Sequence, residues 1–362
     1  MAFLPLIALI TALLAQVAPP KGVPLGIRWL PSATVETGLT NLAGIAICPT
    51  PDRTGPQMVA VDSTGNAVEL LFTEGNWKTA RKFRVPGPVA IVTGAHTAGA
   101  QTDARLIVGT SDGRLLAARR GPLGWTHNDI AELPGPIRAI QATAAAWGGA
   151  SSSVFVADGA GSVTEFVEDE HGEWRSGRLP TIPGGARFIT FDYDQRGLRV
   201  GLVSPAGAIY RVTTDSLGNW GAAEWAVMQA PPQDVVASAD PTMRDMAFFY
   251  SGEDGYLRYL FLGSTIDTLS RLVVGGGATY LIGKGDQRRF NEFFGMRKGT
   301  FSLFEYDAVL LDWQEIPITK IEGTTVATCF GPGRGELLHQ IYVATLEGRV
   351  YEFVRGPYEG EH

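Results

Sequence analysis

Along most of the chain, short apolar runs alternate with polar turns, and the same cadence returns about every 47 residues. An apolar run, a turn containing glycine and a second run recur as MVAVDSTGNAVELLF, LIVGTSDGRLLAARR, VFVADGAGSVTEFVE, VGLVSPAGAIYRVTT, FFYSGEDGYLRYLFL, FFGMRKGTFSLFEYD and IYVATLEGRVYEFVR. Their turn glycines, Gly65, Gly113, Gly161, Gly207, Gly255, Gly299 and Gly348, are 48, 48, 46, 48, 44 and 49 positions apart. After the hairpin comes a segment led by tryptophan: Trp77, Trp125, Trp174, Trp220 and Trp313 follow their glycines by 12 to 14 positions. A Pro/Gly turn then opens a short apolar strand, as in PGPVAIVTG, PGPIRAIQA, PGGARFITF and GGGATYLIG. Four short strands per unit predict a four-stranded antiparallel blade. A lone blade cannot bury both faces, so the units must stack around an axis.

The two ends fix the count. The last hairpin, residues 340–355, has no Trp-led strand after it, whereas GIRWLPSATVETG supplies one with Trp29 before the first inner strand, NLAGIAICP. The reading is all-β: one seven-bladed β-propeller over residues 25–355, the N-terminal strand completing the last blade and leaving no free radial edge. Cys48 and Cys329 then fall on innermost strands of neighbouring blades. A disulfide there would clasp the closure; the alternative is a pair of buried thiols.

Composition agrees. Forty-five glycines and 22 prolines among 362 residues suit a chain of tight turns, and 45% hydrophobic with 19% charged residues excludes disorder. The net charge of −7, with no Lys/Arg block, argues against nucleic acid as a partner. Residues 1–18 form an apolar leader without charge. It is short for a membrane span and suits a signal peptide cut after Ala15 or Ala18, with an uncleaved anchor as the alternative. The expected location is therefore secreted, or membrane-held if the leader persists.

Catalytic signatures are missing: no G-x-S-x-G, no H-E-x-x-H, no phosphate loop and no dinucleotide fingerprint. The five histidines lack metal-ligand spacing and fall mainly in predicted loops. No cofactor or metal is expected. The periodic tryptophans are the candidate functional residues, because an indole flush with a surface stacks on a sugar ring while nearby Glu or Arg bonds its hydroxyls. Packing between blades is the competing role. Six of the seven units keep this Trp and the Gly255 unit, with STIDTLSRL, does not. Trp147 and Trp225 lie outside the period and read as ordinary packing residues.

The order of a Pro/Gly-flanked strand, a second strand, a glycine turn, a Glu-bearing strand and a Trp, clearest in IRAIQATAAAWGG…VFVADGAGSVTEFVEDEHGEWRSG, resembles the fucose-specific lectin propellers of fungi. Seven units also look like the seven-bladed bacterial lectins and tectonin-type propellers. The resemblance implies sugar sites between blades, each with an Arg, a Glu twelve residues later and a Trp. Glu69, Glu165 and Glu352 occupy the Glu place, but Gln57, Ser153 and Gln340 precede them. Arg105 and Arg199 occupy the Arg place, beside Trp125 and Trp220, but Ala117 and Arg211 follow them. The sites so implied are weak and non-identical: Gln57/Glu69/Trp77, Ser153/Glu165/Trp174 and Gln340/Glu352/Trp29. The expected function is a non-catalytic lectin whose partners are glycans, fucosylated ones among them. The alternative is a propeller scaffold for a protein partner. A hydrolase or lyase at the axial mouth would need clustered carboxylates or histidines there.

Overall fold

A computed structural model describes residues 27–49, 56–95, 105–121, 123–143, 153–169, 171–194, 197–214, 219–240, 245–262, 269–274, 278–283, 292–307, 312–332 and 339–357. The leader lies outside them. Every regular element among them is a β-strand, and the strands form seven four-stranded antiparallel sheets. Blade 1 runs outward from the axis as Leu42–Pro49, Pro56–Asp62, Asn66–Thr73 and Asn76–Arg84. The first strands of successive blades touch one another all the way round, which closes the ring. Blade 7 is closed by the N-terminus: Ile27–Glu36 pairs antiparallel with Arg349–Pro357, Ile27 opposite Pro357 and Glu36 opposite Arg349. Seven blades and their closure by the N-terminal strand were both readable from the repeat.

Burial explains the sequence pattern strand by strand. Met58, Val59, Ala60 and Val61 on the second strand of blade 1 are all fully buried, and Arg105–Thr110 is buried along its whole length in blade 2. Each sheet is sandwiched between two others, so both faces of its middle strands are core and the apolar run is unbroken. The outermost strand Asn76–Arg84 reaches the rim and is half-buried only at intervals, so polar residues intervene. Seven core clusters lie between blades, each drawing its side chains from two neighbours.

All seven turn glycines have φ between +76° and +99°. That region is strained for any side chain, which is why glycine marks each repeat. Gly348 carries a second constraint. Its carbonyl accepts bonds from the Thr37 N–H (3.0 Å) and the Thr37 hydroxyl (2.8 Å), tying the last hairpin to the chain leaving the closing strand. A Cβ there would stand 1.9 Å from the Leu39 carbonyl oxygen, whereas one on Gly255 would meet nothing within 4 Å. Gly255→Ala is therefore expected to cost about 1–2 kcal/mol, the left-handed strain alone. Gly348→Ala should cost roughly twice that or more, read as urea midpoints at equal slope.

Candidate functional site

The repeat's polar signature is concentrated at the seams between blades. Glu69, on the third strand of blade 1, has no exposed surface. Its Oε1 accepts from Gln57 Nε2 at 2.9 Å and is ion-paired with Arg120, whose Nε lies 2.7 Å away, and its Oε2 accepts from Trp125 Nε1 at 2.9 Å. Trp125 and Arg120 belong to blade 2, Arg120 on Arg114–Gly121 and Trp125 on Gly124–Glu132. The indole is stacked on Phe83 of blade 1, centroids 4.9 Å apart and planes within 4°. Packing and charge pairing thus act at the same point.

The same clasp occurs at two more seams. Glu352 of blade 7 accepts from Trp77 Nε1 of blade 1 at 3.3 Å and from the Tyr342 hydroxyl at 3.1 Å, and that hydroxyl lies 2.7 Å from Gln340 Oε1. Glu165 of blade 3 accepts from Trp220 Nε1 of blade 4 at 3.1 Å, with the Ser153 hydroxyl as a further partner. Desolvation, only partly offset by those two bonds, holds the Glu165 carboxyl above its ordinary range. The pairing differs from the units expected from sequence: Glu69 meets Trp125 rather than Trp77, Glu165 meets Trp220 rather than Trp174, and Glu352 meets Trp77 rather than Trp29. The reason is the two-faced sheet. The third-strand Glu points toward the following blade and the outermost-strand Trp toward the preceding one, so a Glu and a Trp of one repeat face opposite ways.

Where the Glu is missing, the seam is rebuilt. Ala117 takes its place in blade 2, and Trp174 packs into the cluster with Ile107, Ala117 and Phe166. The polar pair is inverted there: Arg105 and Arg119 of blade 2 both pair with Glu168 of blade 3, with Arg105 and Glu168 almost wholly buried. Blade 5 lacks the Trp, and at the seam before it the matching position is Arg211, exposed and lying over the Trp225 ring at 5.4 Å. Trp225 fills this seam from the opposite wall, beside Ile209, Phe248 and Tyr250. The side chain of Arg199 lies outside the described residues; its backbone stands opposite Asp192. The last two tryptophans are apolar plugs. Trp313 meets Phe249 edge-on at 5.2 Å, and Trp29 meets Phe294 at 5.0 Å. Arg119, Arg120 and Glu168 escaped sequence reasoning. The clue was Arg105 standing without its Glu, since a buried cation requires a carboxylate from somewhere.

Near the axis stands a further, half-buried acid. Asp234, on the innermost strand of blade 5 (Pro232–Asp240), accepts from its neighbour Val235 N and from Leu281 N of blade 6, both at 2.8 Å. Desolvation outweighs these bonds and the nearby Arg187, pushing its pKa up to about 6. Cys48 and Cys329 do lie on innermost strands of neighbouring blades, but the Cys48 side chain is outside the described residues. His127 and His339 stand on strands rather than in loops, because the outermost strand begins earlier and the second strand of blade 7 begins at residue 339. Among the described residues no group of three or more His, Cys, Asp or Glu could hold a metal ion, and no helix is long and apolar enough to cross a membrane.

No protein-family model and no curated protein matches the chain. The lectin resemblance is therefore one of architecture, without a family match behind it. Among solved structures 1008 chains match, so the architecture is too widespread to select a function. Two are crystal structures of BBS1N in complex with ARL6DN. The lead-soaked one has TM-score 0.65 and 12% identity, the mercury-soaked one 0.66 and 13%, each match covering 91% of this chain and 97% of that one. At such identity the likeness shows the fold alone.

Two outcomes follow from this geometry. In a double-mutant cycle read by urea unfolding, Glu69→Gln and Trp125→Phe should couple by about 1–2 kcal/mol, while Glu69→Gln and Trp77→Phe add within about 0.5 kcal/mol. Asp234 keeps its proton in the folded chain between its unfolded value near 3.8 and about 6. Stability should therefore rise as pH falls from about 7 to about 4. Asp234→Asn should remove that component, measured as melting temperature against pH.

Proposed function

We propose that this propeller is a non-catalytic scaffold for a protein partner, the alternative weighed against a lectin. The observation that carries this reading is the burial of the residues an inter-blade sugar site would need. Glu69, Gln57, Glu352 and Gln340 expose no surface, and the carboxylates are held by indole and guanidinium donors of the next blade. A sugar hydroxyl reaching them would have to displace an interblade bond and open the seam. The BBS1N propeller, similar in fold, is in complex with ARL6DN, which gives the scaffold reading a structural parallel. With residues 1–18 read as a removable signal, the partner is met outside the cell. Intact mass of native protein starting at residue 16 or 19 would support that; a retained Met1 would favour the anchored form.

The test is a glycan-array screen of the folded protein alongside cross-linking mass spectrometry in its native source. The scaffold reading expects a silent array and reproducible cross-links from one end of the ring to a single protein. A glycan hit that quenches tryptophan fluorescence, and is lost in Trp77→Ala or Trp174→Ala protein that still folds, would return the function to sugar binding.

A further inference from the structure

One end of the ring carries the glycine hairpins together with the connections from each outermost strand to the next blade. Hairpin and connection are bonded to each other, as Leu133 N to Gly113 O (2.9 Å), Ala186 N to Gly161 O (2.8 Å) and Met228 N to Gly207 O (2.9 Å), so this end is rigid. Its charge is unevenly distributed. Over blades 5 to 7 the tips are ionic: Arg258 pairs with Asp254, and Arg349 pairs with Glu36 at 3.0 Å and with Glu322 at 3.1 Å. Over blades 3 and 4 the exposed tips include Pro136, Ala160, Pro183, Pro205, Ala206 and Val227, with the uncharged Thr181 and Gln229 among them. Val227 alone is 57% exposed.

Two arginines border this apolar arc on its axial side. Arg138 and Arg187 each open an innermost strand, donating N–H bonds to Ala157 O (2.9 Å) and Val203 O (2.8 Å). Arg138 is exposed and pairs with no carboxylate among the described residues. Arg187 lies over Phe188, with Glu253 at 4.0 Å and Asp234 within electrostatic reach. On the rim side Arg178 is exposed and bonds the Ser162 hydroxyl at 3.2 Å. Cations flank an apolar strip on a chain whose net charge is −7.

We infer that the arc over blades 3 and 4 is the docking surface of this scaffold, and that it takes an acidic, amphipathic peptide segment of a partner protein. The inference rests on the scaffold reading and adds the place and the chemistry. Carboxylates of the segment pair with Arg138 and Arg187 while its apolar side chains cover the proline and alanine tips. The overall negative charge repels a long polyanion. A surface fixed by proline and by hairpin bonds loses little freedom on binding.

The test pans a random 12-residue peptide display library against the full-length protein. Enrichment of Asp and Glu beside Leu, Phe or Trp is expected. A synthetic peptide from that pool should lose about tenfold in affinity to Arg138→Glu or Ala206→Asp protein, and bind more weakly as salt rises from about 50 to 500 mM. Both substitutions are at exposed positions, and unchanged urea midpoints would show that the fold is intact. Lys298→Glu, on the ionic sector, should leave binding unaltered. A pool without acidic enrichment, or acidic binders indifferent to Arg138→Glu and Ala206→Asp, overturns the arc. Cross-links to a single protein elsewhere on the ring would still leave the scaffold reading standing, whereas a seam-dependent glycan hit would remove the reading beneath both.

Discussion

Every blade has middle strands buried on both faces, and no blade can bury two faces by itself. That constraint governs the rest. It requires neighbours on each side, hence a ring. It requires the ring to close, hence the N-terminal strand Ile27–Glu36 lying beside Arg349–Pro357 in the last blade. It also makes each seam a core, so a polar group placed there must find its partner across the seam or be stranded without water. Glu69 satisfies this with Gln57 from its own blade and Arg120 and Trp125 from the next. Such bonds add little net stability over an apolar filling, yet breaking one is costly. Their effect is to define which blade meets which and in what register.

The seams are chemically unequal. Three hold a carboxylate under an indole, one holds two arginines on a borrowed glutamate, one stacks Arg211 on Trp225, and two are aromatic. Inversion at the second seam is instructive. Ala117 removes the carboxylate from blade 2, Arg105 replaces the glutamine, and Glu168 arrives from blade 3. Charge balance is kept while its direction is reversed. A chain whose copies diverge in this way cannot exchange one blade for another, which suppresses misregistered closure.

Fold was legible in the sequence because its determinants are local and repeated. A glycine with positive φ every 44 to 49 residues, a following Trp and a Pro/Gly turn state the blade, and the orphan Trp29 strand states the closure. The site was legible only in part. Gln57 with Glu69 and Gln340 with Glu352 were visible as pairs twelve apart, because they share one hairpin. Which indole completes each pair was not, because the answer depends on the face a strand presents to its neighbour. Reading Glu69 with Trp77 keeps the partners within one repeat. The sheet turns them to opposite sides and hands Glu69 to Trp125, 56 residues on. Arg120 and Glu168 are absent from the repeat pattern altogether, so periodicity could not find them.

Where the repeat keeps its glutamate, it buries it. Glu69, Glu165 and Glu352 and the indoles of Trp125, Trp220 and Trp77 hold blade to blade, and their polar atoms are engaged inside. Residues left for recognition are those that break the period, on tips where the fold demands only a turn. Ser204-Pro205-Ala206-Gly207 and Gly252-Glu253-Asp254-Gly255 occupy the same place in neighbouring hairpins, one apolar and the other acidic. The backbone tolerates either. Selection at those positions is free to answer a partner, because packing there asks for little. An uncharged proline and alanine arc set against arginines, on an acidic ring whose opposite sector is laced with ion pairs, is a departure from the repeat that ring stability does not require.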